Sequence, residues 1–404
     1  MRILMVSPHP VYSPRGTPIS VLNRCRALAE LGHEVDLVTY PIGEDVPVLG
    51  LKYLRARVPG IKTVAVGLSW RKVPLDLAVF AKASWAIVMH RRRYQVLHTH
   101  EEAGILGLLA RAVRVPHVYD MGNELAVVAR NYGLGDRHPI TMLAAWAERR
   151  IVRSSDVVIA HFPTIRTSVS AWAPAVPVEV VFNVPLEPGP DADLTSLFRS
   201  QWSPDGRPVV LYTGTLERYQ GLEELVEAMA DPAVRAAKPR LVIVGGSQKQ
   251  VEALRSRAEA RGLSGSAIFT GTIPQRQVPS ALGAADILVS PRSSGTNTPL
   301  KLFAYLKSGR PVLATRIASH TQVIDERTAL LVDPGPKKLA CGLAQLLGDE
   351  ALRHRLSANA LVLAGQYSPA AFVAGVARAY GHLSAGDEAA GPDLLAAGAA
   401  GGGR

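Results

Sequence analysis

"DILVSPRSSGTNTPLKLFAYLKSGRPVLAT", residues Asp286 to Thr315, is an apolar strand, a polar loop, a helix and a second strand in direct succession. Leu302, Phe303, Tyr305 and Leu306 recur at helical spacing and define one buried face, Gly309 ends the helix, and Pro311 opens the short apolar run Val-Leu-Ala. The loop between places small hydroxylated and amide residues at a helix start, where the first-turn N–H groups lack intrahelical partners and the helix dipole adds positive potential. Such a terminus favours an anion. Lys301 sits in that first turn against the dipole, and a bound phosphate accounts for it.

Outward from this unit the same grammar repeats. PVVLYTGT, RLVIVGG, AIFTGT, DILVSP, PVLAT and ALLV read as strands, with helices starting near Gly221, Gln250 and Pro279 between them. Before them, RILMVSP, HEVDLVTY, VLHTH, HVYD and VVIAH alternate with helical stretches such as Ile19 to Leu31 and Ile105 to Val113. The Pro- and Gly-rich interval PLEPGPDADL, Pro185 to Leu194, separates the two series. The expected architecture is α/β: two Rossmann-like, doubly wound parallel-sheet domains facing a central cleft. The divisions are a first domain over 1–184, a linker over 185–200 and a second domain over 201–368. A helix over 369–385 and a low-complexity, disordered tail over 386–404 follow.

The chain has 404 residues, 48% hydrophobic and 20% charged, enough for two sizeable cores. Cys25 and Cys341 are far apart and suggest no disulfide or zinc site; both read as small buried apolar residues of a cytoplasmic protein. The first apolar run is too short for a signal peptide. Leu75 to Met89 carries Asp76 and Lys82 and falls short of the roughly 20 apolar residues of a span, so a core helix is expected, with Trp85 and Trp146 in packing roles. The net charge of +11 gathers in Arg91, Arg92, Arg93 and in Arg149, Arg150, Arg153. No helix-turn-helix, zinc-finger or RNA-binding signature accompanies them, which argues against a nucleic-acid partner. A solvated face and a peripheral contact with an anionic membrane stay open.

In open α/β sheets ligands bind beyond the carboxyl ends of strands. Four loops in that position carry glycine: the one containing Gly16, TGTLERYQG with Gly214, the Gly245-Gly246 pair, and TGTIP. The GxGxxG spacing, the Walker lysine pattern, HExxH and GxSxG are all missing, so dehydrogenase, NTPase, zinc-protease and serine-hydrolase chemistry have no anchor. On the other strand ends, His98, His100, Glu101 and Glu102, with His9, Asp120 and Asn123, are candidates for the acceptor side, and for His98 and His100 a strand-capping role stays open. Glu223 and Glu224 open a helix and match its dipole.

Taken together, "VLNRCRALAELGHEVDLVT", "YTGTLERYQGLEELVEAM", "LVIVGG", "FTGTIP", the Asp286 to Thr315 segment and the closing "YSPAAFVAGVARAY" resemble family 4 glycosyltransferases, which have the GT-B fold. The resemblance covers nearly the whole chain and is most specific in its second half. It implies retaining transfer of a sugar from a nucleotide-sugar, used as co-substrate, with no metal and no cofactor, to a glycan or lipid-linked acceptor. The work would be done in the cytoplasm, in association with the inner face of the membrane. It places the base near Ile273 and the ribose, diphosphate and sugar along Gly295, Thr296, Asn297, Thr298, Pro299, Leu300 and Lys301. The final helix, Ala370 to Leu383, would cross back to the first domain.

The departures from the family are specific. Its two glutamates, seven residues apart, correspond to Thr296 and Ala304, and its two phosphate-clamping basic positions to Thr215 and Gln220. Arg218, Arg292 or Lys301 could supply the missing charge. Where many members place a histidine near the reacting sugar, this chain has Gly122, followed by Asn123 and Glu124. An altered but working enzyme with Asp120, Asn123, His100 and Glu101 as catalytic candidates is the first interpretation. A non-catalytic nucleotide-sugar-binding or scaffold protein is the alternative.

Overall fold

The computed structural model describes residues 1–13, 16–61, 63–64, 70–131, 133–184, 189–295 and 298–388. The chain divides into two compact units, Met1–Phe182 with Phe372–Arg404, and Asn183–Ala371.

The first unit holds a seven-stranded sheet. Its strands are β1 (Arg2–Val6), β2 (Glu34–Thr39), β3 (Leu51–Arg55), β4 (Val96–His100), β5 (His117–Met121), β6 (Val157–Ala160) and β7 (Val178–Val180). They lie in the order β3-β2-β1-β4-β5-β6-β7, and every pairing is parallel. The register aligns Met5 with His98 and His100 with Asp120, so the carboxyl ends of the central strands form one row. Strands buried on both faces need continuous apolar runs, which Ile3 to Val6 and Val157 to Ala160 supply. β3 and β7 escaped the sequence reading because LKYLR and VEV are short edge strands of mixed polarity, with only one of their residues fully buried.

The second unit holds β8 (Val209–Thr213), β9 (Arg240–Val244), β10 (Ala267–Gly271), β11 (Ile287–Ser290), β12 (Val312–Thr315) and β13 (Leu330–Val332). The order is β10-β9-β8-β11-β12-β13, again all parallel, and the order in which strands are added reverses between β8 and β11. Its core packs Val210, Leu241, Ile243 and Val289 of the sheet against Leu225, Val226, Leu339 and Leu343 of the helices. The helix Leu300–Lys307 buries Leu302, Phe303, Tyr305 and Leu306, the face anticipated from spacing.

Several expectations need correction. Most of the interval read as a linker over 185–200 is helix, Ala192–Trp202, capped by the Asp191 carboxylate on the Leu194 N–H and belonging to the second unit. The last helix, Pro369–Glu388, runs past residue 386, and the rest of the tail lies outside the described residues. Cys25 is buried but Cys341 is exposed. The helix Lys72–Met89 is not a core helix throughout: Leu75, Val79, Ala83, Ala86 and Ile87 are buried, whereas Leu77, Trp85 and Met89 face outward. Trp146 is exposed as well.

Candidate active site

In the second unit the strand ends meet through glycine. Gly214 N–H donates to the Val244 carbonyl and Gly245 N–H to the Gly271 carbonyl, which draws β8, β9 and β10 together at their carboxyl ends. Gly245 has φ +121°, and a Cβ there would lie 2.0 Å from the Gly214 oxygen, so no larger residue fits. Tyr212 lies beneath, its hydroxyl donating to the Thr215 carbonyl at 2.6 Å. Tyr305, from the helix of the opening segment, accepts from the Thr213 N–H at 2.9 Å.

Two cations converge on this floor. Lys301 Nζ donates to Gln220 Oε1 at 3.0 Å, lies 3.8 Å from the centre of the Tyr212 ring and is 3.3 Å from where a Gly214 Cβ would be. Among the described residues no carboxylate pairs with it. Burial, and then the neighbouring Arg292, hold its amine well below the usual lysine range. Arg292 is itself buried, donates from Nε to the Ser294 carbonyl at 2.7 Å and stacks 5.0 Å over the Tyr219 ring. Its carbonyl accepts from the Thr315 hydroxyl, and Thr315 is held in turn by His320. His320 bonds the Ser290 hydroxyl at 2.9 Å through its other nitrogen, and burial lowers its pKa to about 4.

The remaining predicted donor residues differ in burial and in partners. Pro299 precedes the helix Leu300–Lys307 with no side-chain cap; the Leu302 N–H donates to the Pro299 carbonyl at 2.9 Å, and the Leu300 and Lys301 N–H groups are the first-turn donors open to a ligand. Thr298 has a buried hydroxyl with no partner among the described residues. Gly295 lies so close to Arg292 that a Cβ would sit 2.2 Å from the guanidinium. Thr215 and Arg218 are exposed, Gln220 is buried, and Ile273 is half-buried after β10. Thr296 and Asn297 lie outside the described residues. Gly16 starts a helix of the first unit, and among the described residues nothing lies within 4 Å of where its Cβ would be.

The first unit carries a different arrangement. Asp120, at the end of β5, is completely buried and accepts from Arg24 Nε at 2.8 Å, with His98 Nε2 at 3.2 Å, His100 Nδ1 at 3.6 Å and His161 around it. Burial pushes its carboxyl up, but Arg24, His100 and His161 together hold it well below the usual carboxylate range. Tyr380, from the last helix, bonds His98 Nδ1 at 2.8 Å, and Phe372 of that helix covers the Arg24 guanidinium at 4.9 Å. Burial lowers both His98 and His100, His100 the more, against the pull of Asp120.

Above this anchor lies an accessible group. Glu101 adopts the left-handed φ of 49° directly after β4. Its carboxylate lies 3.3 Å from His9 Nε2 and accepts from Asn123 Nδ2 at 3.4 Å. Burial raises its pKa but His9 outweighs that and brings it to about 2; His9, lowered by burial, is raised more by Glu101. A Cβ on Gly122 would stand 2.9 Å from Glu101 Oε1 and 3.2 Å from His161 Nδ1. Those two side chains therefore fill the place where a residue larger than glycine would project.

Two sets of donor atoms, His98 with His100 and Asp120, and His9 with Glu101 and Glu102, each lie within 4.8 Å of one another, close enough for a metal. In the first, Arg24 already satisfies Asp120, and a cation beside a guanidinium is disfavoured.

The comparisons bear on both units. Residues 195–362 match the family "Glycosyl transferases group 1", and residues 15–184 match "Glycosyl transferase 4-like domain". The D-inositol 3-phosphate glycosyltransferase of Corynebacterium diphtheriae is 27% identical, covering 98% of each chain. The chain belongs to glycosyltransferase family 4. A second relative, the 2-deoxystreptamine glucosyltransferase of Streptomyces kanamyceticus, is 26% identical over 82% of this transferase and 90% of its own length. Sucrose-phosphate synthase from Thermosynechococcus elongatus has the same fold, with TM-score 0.76 at 22% identity over 95% and 99% of the two chains. Anabaena HepE, solved with UDP and glucose, shares it at TM-score 0.71 and 16% identity over 94% and 99%. The expected GT-B fold is thus confirmed.

Within the transferase, the catalytic candidates separate by burial. Asp120 and His100 are sealed in the core and cannot touch substrate there; they position the strand ends. Glu101 and Asn123 are the accessible pair, beside His9. Sequence reasoning missed Arg24, His161, Tyr380, Tyr212, Tyr305 and His320. His161 and His320 follow or face strand ends, a signal that was present; Arg24 and Tyr380 sit inside helical runs, where nothing local marks them. It also missed Glu148, which accepts the Leu125 N–H at 3.0 Å and starts the helix Leu125–Asn131; burial raises its carboxyl to about 8.

Proposed function

We propose that this transferase moves a sugar from a nucleotide-sugar held on the second unit to a glycan or lipid-linked acceptor, with retention, without metal and with no nucleic acid involved. The observation that carries the donor assignment is Lys301. A half-buried amine whose partners among the described residues are a neutral amide and an aromatic face, with Arg292 nearby, is unfavourable until an anion joins it, and a diphosphate is such an anion. It stands against Gln220, the place of a missing family clamp residue, so the charge absent from the β8 loop is delivered by the helix Leu300–Lys307 that follows β11. Arg292 and the uncapped start of Leu300–Lys307 add donors for the same group.

In retaining transfer the bond from the anomeric carbon to the diphosphate oxygen breaks, and the acceptor oxygen bonds to the same face. The acceptor's proton passes to the departing diphosphate. The protein's task is positioning and stabilising the charge that develops on that diphosphate, which Lys301 and Arg292 are placed to do. Glu101, with His9 and Asn123, is the polar group offered to the acceptor. The proposed location is the cytoplasm, at the inner face of the membrane.

The test is donor hydrolysis and thermal shift with a panel of UDP-, GDP- and other nucleotide-sugars, with and without EDTA. One donor that stabilises the fold and is slowly hydrolysed regardless of chelation is expected. Stabilisation without turnover, even when candidate acceptors are added, would favour the binding-only alternative, and loss on chelation would overturn metal independence.

A further inference from the structure

Three helices of the first unit invert the usual surface pattern. On Lys72–Met89 the outward positions Val73, Leu77, Ala81, Trp85 and Met89 follow one another at four-residue spacing, and all are apolar and exposed. The charges of that helix turn inward instead: Asp76 takes the Tyr40 hydroxyl and Lys82 donates to the Arg55 carbonyl at 2.9 Å. Pro139–Ser154 does the same, exposing Ile140, Met142, Leu143 and Trp146 while burying Thr141 and Glu148. Between them Leu106–Ala112 exposes Leu108, with Ile105 just before it. Trp85 and Trp146 are each 58% exposed.

These faces are continuous. The helices connect β3 to β4, β4 to β5 and β5 to β6, all crossing the sheet in one direction, so right-handed crossovers put them on one side of it, side by side and parallel. Each ends in arginine: Arg91, Arg92 and Arg93 after the first, Arg111 and Arg114 at the second, Arg149, Arg150 and Arg153 in the third. Parallel helices bring those ends to one edge, so an apolar plane is bordered by a basic rim. Of these arginines only Arg93 has an ion pair among the described residues, with Asp36. Arg150 lies over Trp146 at 5.3 Å. A hollow of about 270 Å³ opens at the rim between Lys52, Lys82, Trp85, His90 and Arg93; its one carboxylate, Asp36, is already bonded by Arg2, Arg93 and Tyr94.

We infer that this three-helix face is a docking surface for an anionic lipid bilayer, with Leu77, Trp85, Leu143 and Trp146 entering the headgroup boundary and the arginine rim meeting lipid phosphates. Trp beside Arg at the border of an apolar face is the chemistry that an acyl–headgroup boundary selects. No exposed position on the three helices is acidic, so a second copy laid symmetrically on the face would oppose arginine with arginine, whereas anionic lipid matches both parts. The inference deepens the proposed membrane location and does not depend on the donor.

The experiment is co-sedimentation of the full chain with vesicles of phosphatidylcholine alone and of an equimolar phosphatidylglycerol–phosphatidylcholine mixture, at low and high salt, with nucleotide-sugar hydrolysis read on the same preparations. Binding to the mixed vesicles only, weakened by salt, is expected. Trp85→Ala with Trp146→Ala should weaken it on the order of tenfold. R91Q with R92Q, R149Q and R150Q should weaken it about fivefold per charge. All variants should hydrolyse donor like the parent, which separates failure of docking from failure of the transferase reading and reports that they fold. Absence of binding, binding indifferent to both sets of substitutions, or a dimer in sedimentation velocity that the same substitutions dissolve would each overturn the inference.

Discussion

Lys301 Nζ lies 3.0 Å from Gln220 Oε1 and 3.8 Å from the centre of the Tyr212 ring, a cation brought from a helix to a loop that has no basic residue at that position. Among the described residues its one hydrogen-bond partner is neutral, so the ligand-free protein bears a desolvation cost that an anion removes.

Lys301→Met should therefore weaken nucleotide-sugar binding on the order of 10²-fold, measured by titration calorimetry, without lowering thermal stability at neutral pH. The sign with pH follows from the depressed amine: folding is penalised below its folded pKa, and the penalty fades as pH rises towards the free value of 10.5. The variant's stability advantage should shrink over that rise, and donor binding to the parent should weaken as the amine deprotonates. Unchanged affinity in the variant would remove Lys301 from the site.

Two glycine substitutions should part company. Gly245→Ala forces a Cβ to 2.0 Å from a backbone oxygen at φ +121°, and a loss of about 3 kcal/mol in denaturant unfolding is expected. Gly295→Glu, at φ +116°, carries backbone strain too but meets the end of the Arg292 side chain and not a backbone oxygen, so a smaller loss of stability is expected together with loss of donor binding. Surviving turnover in Gly295→Glu would show that this loop does not cradle the donor.

Asp120→Asn should cost about 3–5 kcal/mol, because it leaves the Arg24 guanidinium uncompensated in the core. The loss should appear in unfolding midpoints before any effect on donor affinity. A fully stable but inactive Asp120→Asn protein would mean that Asp120 contacts substrate after all.

Buried histidines with lowered pKa values set the acid limit. Burial lowers His98 and His100, takes His117 to about 3 and takes His320 to about 4. A depressed histidine stabilises the fold above its unfolded value, so stability should fall as pH drops from 6.5 towards those folded values. Unfolding at pH 5 should take up protons, which calorimetry in buffers of different ionisation enthalpy would register as a difference.

Glu101→Gln removes the negative charge that pairs with His9 while keeping its shape. Turnover with acceptor should fall on the order of 10²-fold with donor affinity unchanged. Equal loss of both would place Glu101 on the donor instead.

The sequence by itself determined the two parallel-sheet units, the strand-end loops and the helix Leu300–Lys307, because apolar runs and their periods express burial locally, residue by residue. It also showed that Thr215, Gln220, Thr296 and Ala304 depart from the family. Only tertiary structure decided what replaces one of them: Lys301 reaches Gln220 across 81 positions of chain, a juxtaposition created by the pairing of β8 with β11. The same holds for Asp120, which looked like a catalytic acid at a strand end until Arg24 from one helix and Tyr380 from another closed over its cluster. Outward-facing Leu77, Trp85 and Trp146 were read as packing residues, since hydropathy records that a side chain is apolar but not which way its helix is turned. That rotation was settled by the buried faces, Leu75, Val79 and Ala83 on one helix and Ile151 and Val152 on another, together with the inward partners of Asp76, Lys82 and Glu148, which leave a second apolar side to the surroundings.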